Sequence, residues 1–259
     1  MDSNLALIKL GGSIVTHKEV PLSANEAAIS KILKALSSVK MPKILIHGGG
    51  SFGHYWSVKY DIHSKPDFYD PRGIATVHES MISLNEIVIK LMIKSNMNPY
   101  SIPPSALTLN HKPILQKMHQ LRNMANDQII PVTFGDVVYA GHGKYSILSG
   151  DELMTLISSV LRPKKIIFAL NVDGIFTDLE NRRLIRRYDT GNAVKFARVK
   201  ADVTGGMRRK VREALKIASL GLDVWLVNGL KPKRIAGVIE NVEVEGTVIK
   251  GKRGNTWNA

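Results

Sequence analysis

The stretch His47-Gly48-Gly49-Gly50-Ser51-Phe52-Gly53-His54 follows an apolar run, Ile44-Leu45-Ile46, which predicts a buried strand. Glycine at this density lets backbone N–H groups point at a ligand, because no Cβ stands in the way. Such amides bind phosphate, particularly where a helix begins behind them. A second loop of this kind, Lys9-Leu10-Gly11-Gly12-Ser13, follows the apolar run 5–8. Two strand-to-glycine-loop units predict two facing phosphate sites, which a kinase with a phosphorylated acceptor would need.

Size and composition place the chain among globular proteins. Its 259 residues suffice for a large core, in one domain or in two small lobes, and a hydrophobic content of 44% is ordinary for a globular protein. No apolar run approaches the roughly 18 residues that a membrane span needs, and the N-terminus lacks the apolar region of a signal peptide. We therefore expect a cytoplasmic protein with no membrane partner. The absence of cysteine excludes disulfides, thiolate metal sites and cysteine nucleophiles.

The chain is strongly basic, with 36 Lys and Arg against 22 Asp and Glu, a net charge of +14. Nucleic-acid binding, attraction of anionic substrates and a highly charged surface are competing explanations. The basic clusters are not interleaved with aromatic residues, which make up only 6% of the chain. A base-stacking platform is therefore not indicated, and we expect a charged surface with an electropositive phosphate cleft and no nucleic-acid partner.

Alternation of short apolar runs with helical patterns predicts an α/β fold with a largely parallel central sheet. Ser23 to Glu26 has the spacing of a capping box and predicts a helix start. Two apolar runs on either side of Gly135-Asp136 predict a hairpin. We expect a single domain over 1–259, with an acceptor-binding lobe at 1–160 and a nucleotide-binding lobe at 161–259. The expected strands are 5–10, 43–47, 165–170 and 224–227, the hairpin arms 129–134 and 137–139, and the expected helices 74–91, 151–161 and 208–220.

Two established nucleotide motifs fit this sequence poorly. The spacing Gly48-x-Gly50-x-x-Gly53 matches the dinucleotide fingerprint, which requires a helix, a second strand and an acidic residue about 20 positions on. The segment 56–70 contains neither a full helix nor an apolar strand before its acidic residues. No G-x-x-x-x-G-K-[ST] loop is present either, so a kinase here must use another architecture.

Three polar residues beside the loops have two readings each. Lys9 interrupts an apolar strand and is desolvated unless it meets an anion, although an edge-strand lysine with a solvated amine has the same pattern. His54 would present its imidazole where the loop amides converge, or would simply bond to backbone in the first turn of a helix. Lys18 could reach the phosphates or be an ordinary exposed loop lysine.

Three further motifs end strands or open helices. In Ser149-Gly150-Asp151, either polar residue could cap the following helix, or Asp151 could point into the cleft and orient lysines. Asn171-Val172-Asp173-Gly174 follows a buried strand and is either a ligand-binding turn or a plain Asp-Gly turn. The segment 202–210, with Gly205-Gly206 and then Arg208, Arg209 and Lys210, places cations at a helix N-terminus, where the helix dipole disfavours them unless a polyphosphate is bound.

These five motifs, in this order, resemble the amino acid kinase superfamily over nearly the whole chain. The superfamily's K-x-G-G-S start is Lys9 to Ser13, its acceptor loop is 47–54, its nucleoside turn is 171–174 and its G-G-M-x-x-K is 205–210. The resemblance implies a three-layer α/β/α sandwich. Asn171 stands where aspartate is usual, and Thr177-Asp178-Leu179 lacks the common Asp-Pro; both departures concern the nucleotide side.

A loop that ends in histidine, a Gly-Asp-Val segment and a Ser-Gly-Asp turn resemble the isopentenyl phosphate kinase branch. That resemblance implies transfer of phosphate from ATP to isopentenyl phosphate, with Mg²⁺ held mainly by ATP and no protein metal site, in a homodimer. The implied catalytic residues are His54, Lys9, Lys210 and Asp151. The implied acceptor residues are Gly49, Gly50, Gly53, His54, Ile74, Val77, Val137 and Ile147. The implied ATP residues are Lys9, Gly11, Gly12, Ser13, Lys18, Asp173, Gly174, Gly206 and Lys210. Alternatives are a kinase of the same fold for another alkyl phosphate, a phosphonate, uridylate or an acylamino acid, and a non-catalytic nucleotide- or nucleic-acid-binding module.

Overall fold

The computed structural model describes residues 3–64, 68–177, 183–189 and 205–252. The strands are β1 Ser3–Leu10, β2 Lys43–His47, β3 Pro99–Ser101, β4 Thr108–Leu109, β5 Lys112–Pro113, β6 Ile130–Phe134, β7 Asp136–Gly141, β8 Lys144–Leu148, β9 Pro163–Leu170, β10 Arg187–Asp189, β11 Val224–Asn228 and β12 Thr247–Lys250. The helices are α1 Gly12–Val15, α2 Glu26–Ser37, α3 Gly50–Lys59, α4 Pro71–Lys94, α5 Leu115–Asn126, α6 Gly150–Leu161, α7 Gly205–Ser219 and α8 Lys233–Glu240. Among the described helices, none is both long and apolar enough to cross a membrane.

One large sheet organises the described chain, in the order β10-β12-β11-β9-β1-β2-β6-β3. β1 runs parallel to β2 on one side and to β9 on the other, and β11, β6 and β3 continue the parallel pairing outward. β12 pairs antiparallel with β11. β10 pairs parallel with β12, so these two strands at one edge run opposite to the other six. The mixed sheet is therefore largely parallel, as predicted.

Helices cover both faces of this sheet, because its central strands are apolar on both sides. Alternate residues of β1 belong to different cores: Leu5 and Leu7 pack with α5, α6 and α7, and Ala6, Ile8 and Leu10 pack with α2, α4 and α8. The arrangement confirms the three-layer α/β/α sandwich. The two expected lobes, 1–160 and 161–259, share this sheet, because β1 pairs with β2 on one side and with β9 on the other.

One local prediction was wrong, and another was right about the start of a helix but not about the residue that caps it. Ile130–Phe134 is a strand of the central sheet and is buried at every position, so it does not form a hairpin arm. The hairpin is instead β7 with β8, and Asp136 pairs with Leu148. Helix α2 is capped by Asn25, whose side chain accepts a hydrogen bond from Ala28 N at 3.1 Å, and not by Ser23.

The parallel strands bring their carboxyl ends to one edge of the sheet. β1 ends in the glycine loop 9–13, β2 ends in the glycine loop 47–54, β6 ends before Gly135, and β9 ends at the 171–174 turn. From β1 the chain continues to β2 on one side and returns later to β9 on the other side, so the strand order reverses at β1. Open α/β sheets bind ligands in the crevice at such a reversal.

Candidate active site

A cleft of about 690 Å³ opens at this edge of the sheet. Both glycine loops line it, together with the start of α6 and the start of α7. The residues proposed from sequence that line it are Lys9, Gly12, Ser13, Lys18, Gly49, Gly50, Gly53, His54, Val77, Ile147, Asp151, Gly206 and Lys210. The two loops, the lysines and the histidine therefore meet in one place, as the sequence predicted.

The two glycine loops pack backbone against backbone. A Cβ on Gly12 would lie 2.5 Å from Gly50 N, and a Cβ on Gly48 would lie 2.8 Å from Gly12 N. Real side chains do not tolerate such distances, so glycine is required for the approach itself. The main chains of the two predicted phosphate sites are thus direct neighbours.

A residue that sequence reasoning missed, Thr16, joins these loops. Its hydroxyl donates to Gly12 O at 2.9 Å and accepts from Ser51 N at 3.0 Å. Gly50 has φ +48, and a Cβ there would overlap Thr16 Oγ1. Thr16 is 2% exposed. A buried hydroxyl with a partner on each loop fixes the spacing of the two loops, because leaving either bond unmade would be costly.

A buried ion cluster lies beside the loops. Lys9 Nζ donates to Asp151 Oδ1, and the two side chains are 4% and 1% exposed. Arg209 Nε donates to Asp151 Oδ2 at 3.2 Å, and Lys210 Nζ lies 3.8 Å from the same oxygen. Because β1 lies between β2 and β9, the edge-strand reading of Lys9 is wrong.

Charge and burial set the protonation states in this cluster. Burial lowers the pKa of Lys9 to about 8, against the opposing attraction of Asp151. Burial alone would raise the pKa of Asp151, but the charges of Lys9, Lys210 and Arg209 outweigh it and hold that pKa below its usual value. Asp151 is therefore ionised at neutral pH and holds Lys9 in its charged form.

The first turn of α6 divides the two roles that the sequence left open. Ser149 is the cap, since its Oγ accepts a hydrogen bond from Glu152 N at 3.2 Å. Asp151 faces the cations instead. Both readings of the motif were thus correct, each for a different residue.

His54 lies in the first half of α3, exposed at the wall of the cleft. Within the described residues its ring makes no hydrogen bond with the backbone, so the imidazole remains available to a ligand. His47, at the end of β2, is structural: it is fully buried, stacks on Phe134 and contacts Asn85 Oδ1 at 3.2 Å. Burial lowers the pKa of His47 to about 4.

The apolar side of the cleft is formed in part by residues that the sequence named. Val77 and Ile147 line it, and Ile62 and Met81 line it as well. Ile74 and Val137, expected at the wall, do not line the cleft, although they belong to the same small apolar cluster as Val77 and Ile147. Of the four residues predicted for the wall, Val77 and Ile147 therefore border the cleft among the described residues.

A hydrogen-bonded pair that sequence reasoning also missed, His78 with Asp136, joins the two sides of this wall. His78 Nδ1 contacts Asp136 Oδ2 at 2.6 Å, and Asp136 Oδ1 accepts a hydrogen bond from Val137 N at 2.7 Å. Burial raises the pKa of Asp136, and the hydrogen bond to Asp136 raises the pKa of His78. The contact ties α4 to the start of β7.

Asp173 and Gly174 are not among the described residues that line the cleft. Asp173 Oδ1 accepts from Asn228 Nδ2 at 3.0 Å and from Lys231 Nζ at 3.2 Å, and it also contacts Arg234. The Asn228 hydrogen bond is the main cause of a lowered pKa at Asp173. Gly11, in the loop 9–13, is also not among the described residues that line the cleft, and a Cβ there would lie 3.0 Å from Ala169 O. The part 202–204 of the third motif, and Asp178-Leu179, lie outside the described residues.

The fold and this site define a phosphotransferase of a known class: the chain belongs to the amino acid kinase family, whose sequence profile matches residues 4–228. Several curated relatives that match over nearly their full length are isopentenyl phosphate kinases. The protein of Thermoplasma acidophilum is 33% identical over 95% of this chain and 100% of its own length. That of Methanothermobacter thermautotrophicus is 29% identical over 96% of this chain and 100% of its own length.

Solved structures agree with this placement. The structure described as the isopentenyl phosphate kinase substrate complex superposes with a TM-score of 0.79 at 31% identity, over 96% of this chain and 100% of that one. The T. acidophilum isopentenyl phosphate kinase product complex superposes with a TM-score of 0.78 at 30% identity, with the same coverage of both chains. Among the curated sequence relatives, an acetylglutamate kinase of Methanococcus maripaludis is more distant, at 23% identity over 94% of this chain and 90% of its own length.

Proposed function

We propose that this chain transfers the terminal phosphoryl group of ATP to isopentenyl phosphate, giving isopentenyl diphosphate and ADP. The observation that carries the proposal is the junction of the two glycine loops beside the buried Lys9–Asp151 pair, with His54 on one wall and an apolar surface next to it. The nearly full-length similarity to isopentenyl phosphate kinases supports the choice of acceptor.

The chemistry needs no general base, because an acceptor phosphate already carries an anionic oxygen. Two polyanions must instead meet in line, and catalysis rests on positioning and charge neutralisation. The backbone contact between the loops provides the positioning, and the cations around Asp151 provide the charge.

At the acceptor end, amides of Gly49, Gly50 and Gly53 hold the phosphate, and His54 donates a hydrogen bond to it. Packing requires glycine at 49 and 53, because a Cβ on either residue would lie within 3.0 Å of the Met81 sulfur. The hydrocarbon tail lies against Val77 and Ile147, with Ile74 and Val137 in the same apolar cluster.

At the donor end, Lys9 and Lys210 stabilise charge on the transferred group, and Asp151 orients them. The other residues proposed for the nucleotide are Gly11, Gly12, Ser13, Lys18, Asp173, Gly174 and Gly206. Asp173 and Gly174 lie at the carboxyl end of β9, away from the phosphate part of the cleft, so we assign them to the nucleoside. Their neighbours Lys231 and Arg234 already neutralise the Asp173 carboxylate.

Mg²⁺ would neutralise charge on the ATP phosphates. The carboxylates that line the cleft are already engaged: Asp151 with Lys9, Asp136 with His78, and Glu152 with His111 at 3.1 Å. Among the described residues there is also no cluster of three His, Asp or Glu side chains suited to a metal. We therefore propose that the nucleotide oxygens supply most of the ligands.

We also propose that residues 1–259 form one domain, with an acceptor lobe at 1–160 and a nucleotide lobe at 161–259. The protein acts as a homodimer in the cytoplasm, where ATP is available, with no nucleic-acid partner. Sedimentation of the purified chain tests the dimer, and a filter-binding assay at low salt tests the absence of nucleic-acid binding.

A coupled ADP-release assay with four acceptors tests the reaction: isopentenyl phosphate, uridylate, N-acetylglutamate and carbamate. We expect kcat/KM for isopentenyl phosphate to exceed the others by at least about 100-fold, since an apolar wall beside a phosphate site discriminates against polar tails. The His54→Gln variant, purified in parallel, controls for contaminating kinases. Preferential turnover of another acceptor would contradict the proposal.

A further inference from the structure

Arg209 is the cation that contacts the second oxygen of Asp151. It lies in the first turns of α7, and its Nε donates to Asp151 Oδ2 at 3.2 Å, whereas Lys210 Nζ lies 3.8 Å from that oxygen and donates to Gly206 O. The Arg209 side chain is 51% exposed and lines the cleft. A guanidinium has five N–H donors, so this contact leaves four of them for another acceptor.

The charges around Asp151 do not balance. Among the described residues, Lys9, Arg209 and Lys210 surround one carboxylate, which leaves an excess of two positive charges. Lys210 and Arg209 each lower the pKa of Lys9, so the three cations repel one another. Such an excess is costly at a partly buried site unless an anion offsets it.

We propose that Arg209 binds the terminal phosphate of the nucleotide, an inference that rests on the proposed kinase function. Asp151 holds Nε, and the outer nitrogens of the guanidinium bind phosphate oxygens. The terminal phosphate is the one concerned, because it must lie close to Lys9, which shares the same carboxylate. Asp151 then orients a cation through each of its two oxygens, Lys9 through Oδ1 and Arg209 through Oδ2.

Because the guanidinium is planar, we expect that a lysine will not replace Arg209 fully. The guanidinium can donate to a carboxylate with one edge and to a phosphate with another, whereas an ammonium is a point charge without this geometry. Comparing arginine with lysine at position 209 therefore tests the geometry of the contact as well as its charge.

The test compares Arg209→Gln and Arg209→Lys with Arg212→Gln, which removes the same charge from an exposed position one turn further along α7. Affinities for the β,γ-imido analogue of ATP and for MgADP are measured by calorimetry, and no acceptor is needed. We expect Arg209→Gln to lower the affinity for the triphosphate analogue by about tenfold or more, as for lost hydrogen bonds between charged groups. The affinity for MgADP should fall by less than about twofold. Arg209→Lys should recover less than half of this loss on a logarithmic scale.

Equal weakening of both nucleotides, or an Arg209→Gln variant that behaves like Arg212→Gln, would overturn the assignment. Melting temperatures within a few degrees of wild type are expected, because the side chain is half exposed. A wild-type protein that binds the triphosphate through Arg209 but does not turn over isopentenyl phosphate would refute the proposed function and leave this inference standing.

Discussion

The two ends of the cleft are built in different ways. At the phosphate end, the main chains of Gly12 and Gly50 touch, and the buried Thr16 hydroxyl bonds to both loops. At the tail end, side chains make the surface: Val77 from α4 and Ile147 from β8. Backbone contacts define one end, and replaceable side chains define the other.

Because of this difference, one end of the cleft should control phosphoryl transfer and the other the choice of acceptor. A Cβ at the loop glycines would collide with main-chain atoms, with Thr16 or with Met81, so the phosphate end tolerates little change. An apolar wall changes its shape with each methyl group gained or lost. Substitutions at the phosphate end should therefore affect whether transfer occurs, and those at the tail end should affect which alkyl phosphate is used.

Loss of the loop histidine is the most severe test of the phosphate end. For His54→Ala and His54→Gln we expect turnover to fall on the order of 100-fold or more, as when a preorganised donor is removed from a transition state. Steady-state kinetics with saturating ATP measures the effect. His119→Gln, an exposed histidine of α5, is the control. Turnover within threefold of wild type would remove His54 from the mechanism.

Thr16 tests whether the spacing of the loops matters. Thr16→Val keeps the shape but leaves Ser51 N without its partner, and we expect kcat to fall by about tenfold. Thr16→Ser keeps the hydroxyl and should restore most of the activity. If valine and serine variants are equally active, the hydroxyl does not position the loops.

The pH dependence tests the ion cluster. Lys9 is charged below its pKa of about 8 and neutral above it, and only the charged form can stabilise the transferred group. We therefore expect kcat/KM for ATP, which reports the free enzyme, to fall about tenfold per pH unit above 8. A profile that stays flat to pH 10 would contradict this role of Lys9.

The tail end should show the smallest effect, a change of preference. Val77→Ala, alone or with Ile74→Ala, should raise kcat/KM for longer prenyl phosphates by roughly three- to tenfold, as expected for one or two methylenes in an apolar pocket, with little change in the KM for ATP. Ile74→Ala alone should do less, because Ile74 is not among the described residues that line the cleft. Val88→Ala, buried elsewhere on α4, is the matched control for destabilisation. An unchanged chain-length profile in the Val77 variants would show that this wall does not limit the tail.

Much of the fold could be predicted because its strands are short apolar runs that end at glycine. Lys43–His47 was predicted to the residue, and Lys165–Leu170 missed only the first two residues of β9. The prediction of a hairpin at this position was wrong because Gly135-Asp136 has the sequence of a two-residue turn. Complete burial of Ile130–Phe134 in a parallel sheet is a tertiary property that local pattern does not show.

The site was predicted where a residue conflicts with its local surroundings. A lysine in an apolar strand and a histidine after four glycines both attract attention in this way. Arg209, Thr16 and the His78–Asp136 pair show no such conflict, because the contacts that join them to other elements span 35 to 58 residues of the chain. Sequence pointed to the three cations 208–210 as a group, but only the structure distinguishes Arg209 within it.

The central assignment is that the loop 47–54 serves the acceptor and not the nucleotide. Calorimetric binding of isopentenyl phosphate and of MgADP to wild type and to His54→Gln tests it directly. The account predicts that the substitution weakens isopentenyl phosphate by about tenfold or more and leaves MgADP within twofold. Weakened MgADP with unchanged isopentenyl phosphate would place the loop on the nucleotide side and contradict the account.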